Sequence, residues 1–264
     1  MPPASSLNQT DREPTPAVVS DTELQRNLSA SHYDFVDFGC SHGGSFELAE
    51  RMFGDGKALR GLGLDIDPAK VEAARSAGRD ALVQDLTAYP ARHDTARFVM
   101  MAHILEHLPG LKAAEQVMRA ATRTAREFVF VAQPWFDSDG YLFERGLKLF
   151  WSDWHGHPNR MTTLDFHYIL QEQLRRGEIS GFSLFGANPI RTSRHSAVHA
   201  LGSPRNQSAF VSDTHPPKPG LPVVFTRPVF EEIHAVIDIR ERAGLNAYRR
   251  ARKYTKPVFQ SYGS

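Results

Sequence analysis

Ten residues constrain this chain most, Phe35-Val-Asp-Phe-Gly-Cys-Ser-His-Gly-Gly44. A short apolar run passes through small residues and leads into Phe46, Ala49, Met52 and Phe53, which recur at helical spacing until Gly54 supplies a stop. A strand that turns straight into a helix through residues this small lets backbone N–H groups and the helix N-terminus come close to a ligand. The same glycine-rich turn also serves plain packing, so on its own it leaves both readings open.

The order of features after it narrows the choice. A second apolar run, Gly61-Leu-Gly-Leu-Asp65, ends in a carboxylate 22 residues beyond Gly43, about the spacing at which an acid on the next strand tip accepts hydrogen bonds from ribose hydroxyls. Asp67 before Pro68 is a helix start, with Asp as cap and Pro in the first turn, and the helix runs to about Gly78. A third strand over 81–84 ends at Asp85-Leu86, and a fourth over 96–101 runs into His103-Ile-Leu-Glu-His107-Leu-Pro109. Leu111, Ala114, Met118 and Ala121 then form a helical stripe ahead of a strand over 127–132. Such alternation predicts right-handed crossovers and a parallel sheet, with ligands bound beyond the carboxyl ends of the strands. Asp37 and Asp85 also read as caps of their own turns.

Residues 33–136 resemble the class I S-adenosylmethionine-dependent methyltransferases. The family's acid followed by Gly-x-Gly-x-Gly stands here as Asp37-Phe-Gly39-Cys-Ser41-His-Gly43, with serine at the middle glycine. The resemblance implies an α/β fold with a seven-stranded, mostly parallel sheet, helices on both faces and insertions on the substrate side, and S-adenosyl-L-methionine as cofactor. It implies that Asp37, Gly39, Ser41 and Gly43 cradle that cofactor and that Asp65 takes the ribose. Ile66 would pack on the adenine, Asp85 meet its exocyclic amine, Leu86 give a backbone contact, and His103 lie near the sulfonium.

With 264 residues, 41% of them hydrophobic, the chain can bury a sizeable core. Residues 1–30 are expected to be a flexible extension or lid, with Asp21 to Leu28 as a short helix. Residues 31–264 then make one domain, a cofactor-binding half (31–136) and a substrate-binding half (137–264). The pattern changes after Gln133-Pro134: all three tryptophans, Trp135, Trp151 and Trp154, fall in an aromatic insertion that also holds His155 and His157. A helix over 161–175, with Leu164, Tyr168 and Leu174 among its apolar positions, and a strand over 179–185 follow. Residues 186–220 form an irregular loop, 222–226 a last strand, and Val229, Phe230, Ile233, Val236 and Ile237 one face of a final amphipathic helix.

A formal net charge of +1 gives no overall field to draw nucleic acid or an anionic membrane, and the basic tail over 248–256 reads as a solvated helix end. No apolar run is long enough to span a bilayer and no secretory leader is evident, so a soluble, cytoplasmic protein with a small-molecule substrate is expected. The aromatic insertion is suited to mediate a homodimer. Cys40 is the single cysteine, a buried filler in the turn.

Positioning supplies most of what methyl transfer from a sulfonium needs, and a base helps where the acceptor carries a proton. His103 and His107 are the candidate catalytic residues; Trp135, Trp154, His195 and His199 are candidates for substrate binding. No paired Cys/His spacing of a zinc site is present, and no metal is expected. The expected reaction is methylation of a small metabolite at O or N. Two alternatives remain at this stage: a cyclase or lyase that consumes the cofactor and releases methylthioadenosine, and a non-catalytic cofactor-binding module.

Overall fold

A computed structural model describes residues 21–31, 33–90, 94–252 and 257–263. The first half alternates as the pattern requires: α1 (Asp21–Ser31), β1 (Phe35–Phe38), α2 (Gly44–Phe53), β2 (Gly61–Asp65), α3 (Pro68–Ser76), β3 (Asp80–Val83), β4 (Ala96–Ala102), α4 (Leu111–Thr124) and β5 (Ala125–Pro134). The second half holds α5 (Asp139–Phe143), β6 (Leu147–Leu149), α6 (Thr163–Arg175), β7 (Gly181–Pro189), β8 (Val198–Ala200), β9 (Phe230–Asp238), α7 (Ala243–Ala251) and β10 (Pro257–Tyr262). The expected lid over residues 1–20 lies outside the described residues.

Among the described residues the main sheet has eight strands in the order β10-β7-β9-β5-β4-β1-β2-β3. Pairing is parallel from β3 to β5 and antiparallel from β5 through β9 and β7 to β10. Six of the eight strands therefore point the same way. Helices cover both faces. On one, Phe46 and Phe53 of α2, Val71 of α3 and Tyr248 of α7 pack on Phe35, Phe98, Phe128 and Phe130 of the sheet. Phe35, Phe98 and Phe128 stack in register across neighbouring strands at 5.3 and 4.9 Å between centroids. On the other face lie Val117 and Met118 of α4 and Phe166 and Leu170 of α6, with Leu28 of α1.

Several expectations are corrected. The sheet has eight strands rather than seven, because β10 adds an antiparallel edge to β7. The segment read as a final helix is β9, sandwiched between β5 and β7, and Ile233 to Ile237 are buried without a break. A strand covered on both faces is mostly apolar and lacks a clean alternation, so Val229, Phe230, Ile233, Val236 and Ile237 matched a helical template by chance. Residues 222–226 form no strand beyond a bridge from Val224 to Thr192; the helix comes later, as α7. Within 186–220, β7 continues to Pro189 and β8 pairs with β6, tying the loop to the aromatic insertion. On α6 the buried face is Phe166, Ile169, Leu170 and Gln173, whereas Leu164 and Tyr168 are exposed.

No helix among the described residues is long and apolar enough to cross a membrane.

Candidate active site

The turn between β1 and α2 alternates its backbone. Gly39, Ser41 and Gly43 have φ of +83°, +47° and +87°, so all three positions of the glycine motif are left-handed and serine occupies the middle one. A Cβ at Gly39 would lie 2.7 Å from the Ile104 side chain, so only glycine fits there. The loop is held from the next strand tip: Ser41 N–H donates to Asp65 Oδ2 at 2.9 Å, while Asp67 N–H donates to Asp65 Oδ1 at 3.0 Å. Asp67 caps α3 as its sequence suggests, accepting from the N–H groups of Ala69 and Lys70.

Asp37 is fully buried beneath this turn and accepts a hydrogen bond from the Ser45 hydroxyl. Burial, opposed by that hydroxyl and reinforced by the Asp65 charge, pushes its carboxyl up to about 7. Burial also pushes the Cys40 thiol up, in keeping with a packing role. Asp85 does cap the turn over Leu86–Ala88, its Oδ1 accepting from Thr87 N–H at 2.8 Å and from the Thr87 hydroxyl at 2.7 Å. Leu86 is buried, but Ile66 is 65% exposed beside the Asp65 tip, an apolar surface of the sort an adenine ring covers. A left-handed loop of small residues, a carboxylate on the second strand tip, an uncovered isoleucine and a capped acid on the third fit the group that the motif implies.

Past β4, His103 has φ +55° and its ring is held by two carboxylates, Nδ1 to Glu106 Oε1 at 3.3 Å and Nε2 to Glu232 Oε1 at 3.0 Å. Burial works against the imidazolium, but the hydrogen bonds and charges of the two glutamates prevail and raise it to about 10. Glu232 is held below the usual carboxylate range: burial opposes this and is outweighed by His103 and His234. Leu105–His107 is a single 3-10 turn, not the helix on which His103 and His107 would share a face. His107 instead gives its Nδ1–H to the Gly156 carbonyl at 2.7 Å.

These residues open onto a cavity of about 510 Å³ beyond the strand tips. Phe150, Trp151 and Trp154 from the insertion form its aromatic wall, and Ser196 and Ala197 approach from the long loop. The two segments are joined by the β6–β8 pair and by buried Lys148, whose Nζ donates to Asp153 Oδ2 at 2.7 Å and to the Ser203 carbonyl at 2.6 Å.

Of the residues singled out from sequence, His103, His107 and Trp154 line this cavity. Trp135 borders a different hollow, beside Phe230 and Phe259. His199 is fully buried, its ring 5.0 Å from that of His215, and His195 sits 3.7 Å from Glu231. Trp151 and His157, noted in the aromatic insertion, also line the cavity, as do Glu106 and Glu232, which were not singled out. Glu232 had no signal, since its strand was read as a helix; Glu106 stood inside the quoted motif.

A family model described as a methyltransferase domain matches residues 36–128, from β1 into β5. No curated protein matches the chain. Among solved structures, a SAM-dependent methyltransferase from Archaeoglobus fulgidus is 12% identical, covering 81% of this chain and 91% of its own, with a TM-score of 0.51. The YcgJ protein from Bacillus subtilis is also 12% identical, over 83% of this chain and 97% of its own, with a TM-score of 0.51. Magnesium protoporphyrin IX methyltransferase (ChlM) from Synechocystis PCC 6803, with bound SAH, is 15% identical over 81% and 77% of the two chains, with a TM-score of 0.44. At such identities the likeness to the two structures with a TM-score of 0.51 is one of fold. The chain thus shares the fold of solved SAM-dependent methyltransferases, and residues 36–128, about a third of it, match a methyltransferase-domain family model.

Proposed function

We propose that the chain methylates a small-molecule acceptor, at oxygen or nitrogen, held in the cavity between the aromatic insertion and the 186–220 loop. The carrying observation is that cavity: about 510 Å³, walled by Phe150, Trp151 and Trp154 and floored by polar groups of the strand tips, a size and lining that suit a metabolite. Among the described residues no lysine or arginine lines it, while Glu106, Glu231 and Glu232 do. A polyphosphate backbone would meet carboxylates there rather than cations.

When bound, S-adenosylmethionine supplies a methyl group on an already activated sulfonium. The chain's work is to place the two reactants. In this reading the Asp37–Gly43 loop, Asp65, Ile66, Asp85 and Leu86 hold the cofactor, and Trp154 and its aromatic neighbours orient the acceptor. Both ring nitrogens of His103 are engaged by carboxylates. His103 is therefore a positioning residue that fixes Glu106 and Glu232 at the reacting end of the cavity, not a free base.

The test is incubation of the full chain with S-adenosylmethionine and a panel of small hydroxylated compounds and amines, followed by mass analysis. One methylated acceptor with matching S-adenosylhomocysteine, absent in Asp65→Ala, is expected. Methylthioadenosine formed without any acceptor would replace this reading with the cyclase or lyase, and tight binding without turnover across the panel would favour the non-catalytic module.

A further inference from the structure

The turn after β4 and the aromatic insertion are 50 residues apart between His107 and His157, yet they bring Glu106, His107 and His157 together. One carboxylate oxygen and one ring nitrogen from each histidine lie within 4.8 Å of one another. All three residues line the acceptor cavity.

The hydrogen bonds around them prepare three donor atoms. His107 Nδ1–H donates to the Gly156 carbonyl at 2.7 Å, and His157 Nδ1–H donates to the Trp151 carbonyl at 3.1 Å. A proton held on Nδ1 leaves the lone pair on Nε2, the arrangement in which imidazoles are oriented toward metal ions by a backbone acceptor. Glu106 is 1% exposed; its Oε1 faces His103, and its Oε2 is buried with no hydrogen-bond partner among the described residues. A carboxylate oxygen in that position carries its full desolvation cost unless something positive reaches it. The two halves of the cluster are also pinned to each other. Asn159, two residues past His157, donates its side-chain amide to the Leu105 carbonyl at 2.9 Å and its N–H to the Glu106 carbonyl at 3.3 Å.

We propose that Glu106, His107 and His157 form a divalent-cation site opening onto the acceptor cavity. Two imidazoles and one carboxylate suit a borderline cation such as Zn²⁺ or Mn²⁺, and three protein ligands leave coordination positions for an exogenous oxygen. Glu231 and Glu232, which line the same cavity, add negative charge around the ion. Taken with the proposed function, on which this last step rests, the site selects acceptors that carry a hydroxyl, because a cation there draws an oxygen ligand and lowers its pKa.

Calorimetric titration of the metal-stripped full chain with Zn²⁺, and separately with Mn²⁺, tests the site without cofactor or acceptor. One stoichiometric site is expected, weakened at least about tenfold in His107→Ala and in His157→Gln. His107 is exposed, so the first variant leaves the core intact; circular dichroism checks both. His155→Ala serves as the control, since the His155 ring bonds to Asn206 outside the trio, and it should bind as the parent does. Absence of stoichiometric binding, or unchanged affinity in both cluster variants, overturns the site, as does an equal loss in His155→Ala. A parallel titration with S-adenosylmethionine, with and without chelator, separates the two claims: metal bound and cofactor not bound leaves the site standing and removes the proposed function, and the reverse removes the site alone.

Discussion

Asp37 allows a quantitative prediction about the cofactor turn. Its carboxylate is 0% exposed; one oxygen accepts from Ser45 and the other has no hydrogen-bond partner among the described residues. Burial first, then the Asp65 charge, raises it from the ordinary 3.8 to about 7, against the opposing Ser45 hydrogen bond. The native state thus favours the neutral acid, and the unfolded chain favours the ion. Stability from this group is fully present below about pH 3.8 and is lost as the pH rises through about 7. At about 1.4 kcal/mol for each pH unit of that interval, the loss amounts to about 4 kcal/mol. An asparagine amide at this position cannot ionise, yet it still offers Ser45 an acceptor oxygen. Urea unfolding of Asp37→Asn and the parent, followed by tryptophan fluorescence from about pH 4 to about pH 8, should show the asparagine variant gaining on the parent by about 4 kcal/mol. Groups that titrate in both proteins cancel in that difference. Parallel stability curves, or a difference that shrinks as pH rises, would refute the assignment of a buried neutral acid.

Asp65→Ala removes the acceptor for the N–H groups of Ser41 and Asp67; a loss of about 1–3 kcal/mol in unfolding free energy and of calorimetric S-adenosylmethionine binding is expected. Gly39→Ala combines left-handed strain with a contact 2.7 Å from Ile104, so unfolding free energy should fall by about 2 kcal/mol or more, with only the steric part recovered when Ile104→Ala is added. Ser41→Gly relieves φ +47° at some cost in unfolded-state entropy, and a net gain on the order of 0.5 kcal/mol should appear in a thermal melt with cofactor binding retained. Lys148→Ala leaves the Ser203 carbonyl without this donor and Asp153 with Arg205 alone; a loss of about 1–3 kcal/mol in chemical denaturation is expected.

The cofactor half was legible because each of its short strands ends at a polar or small residue that must face a turn. Asp65 closes the buried β2 and Asp85 caps the turn just past β3, and the Asp67-Pro68 pair marks a helix start through local chemistry alone. The acceptor half was written in longer-range terms. β9 carries Glu231 and Glu232 at its outer end and a fully buried run inside, apolar but for His234 and Asp238; without knowing that β5 and β7 flank it, periodicity cannot separate strand from helix. Leu164 and Tyr168 look like core residues by type, but the phase of α6 is set by Phe166 and Leu170 against the sheet. Glu106 and His157 meet only through the return of the insertion over the β4 turn, and nothing in either segment marks the other as its partner.

Under the proposed function, the β6–β8 ribbon has a bearing on how acceptor preference can change. The two walls of the cavity are registered through main-chain hydrogen bonds between Leu147–Leu149 and Val198–Ala200, and these depend little on which side chains flank them. Phe150, Trp154 and Ala197 can thus be exchanged to reshape the chamber while its frame and the separate cofactor turn stay in place. A family of enzymes built on this plan can diversify its acceptors by repainting one wall.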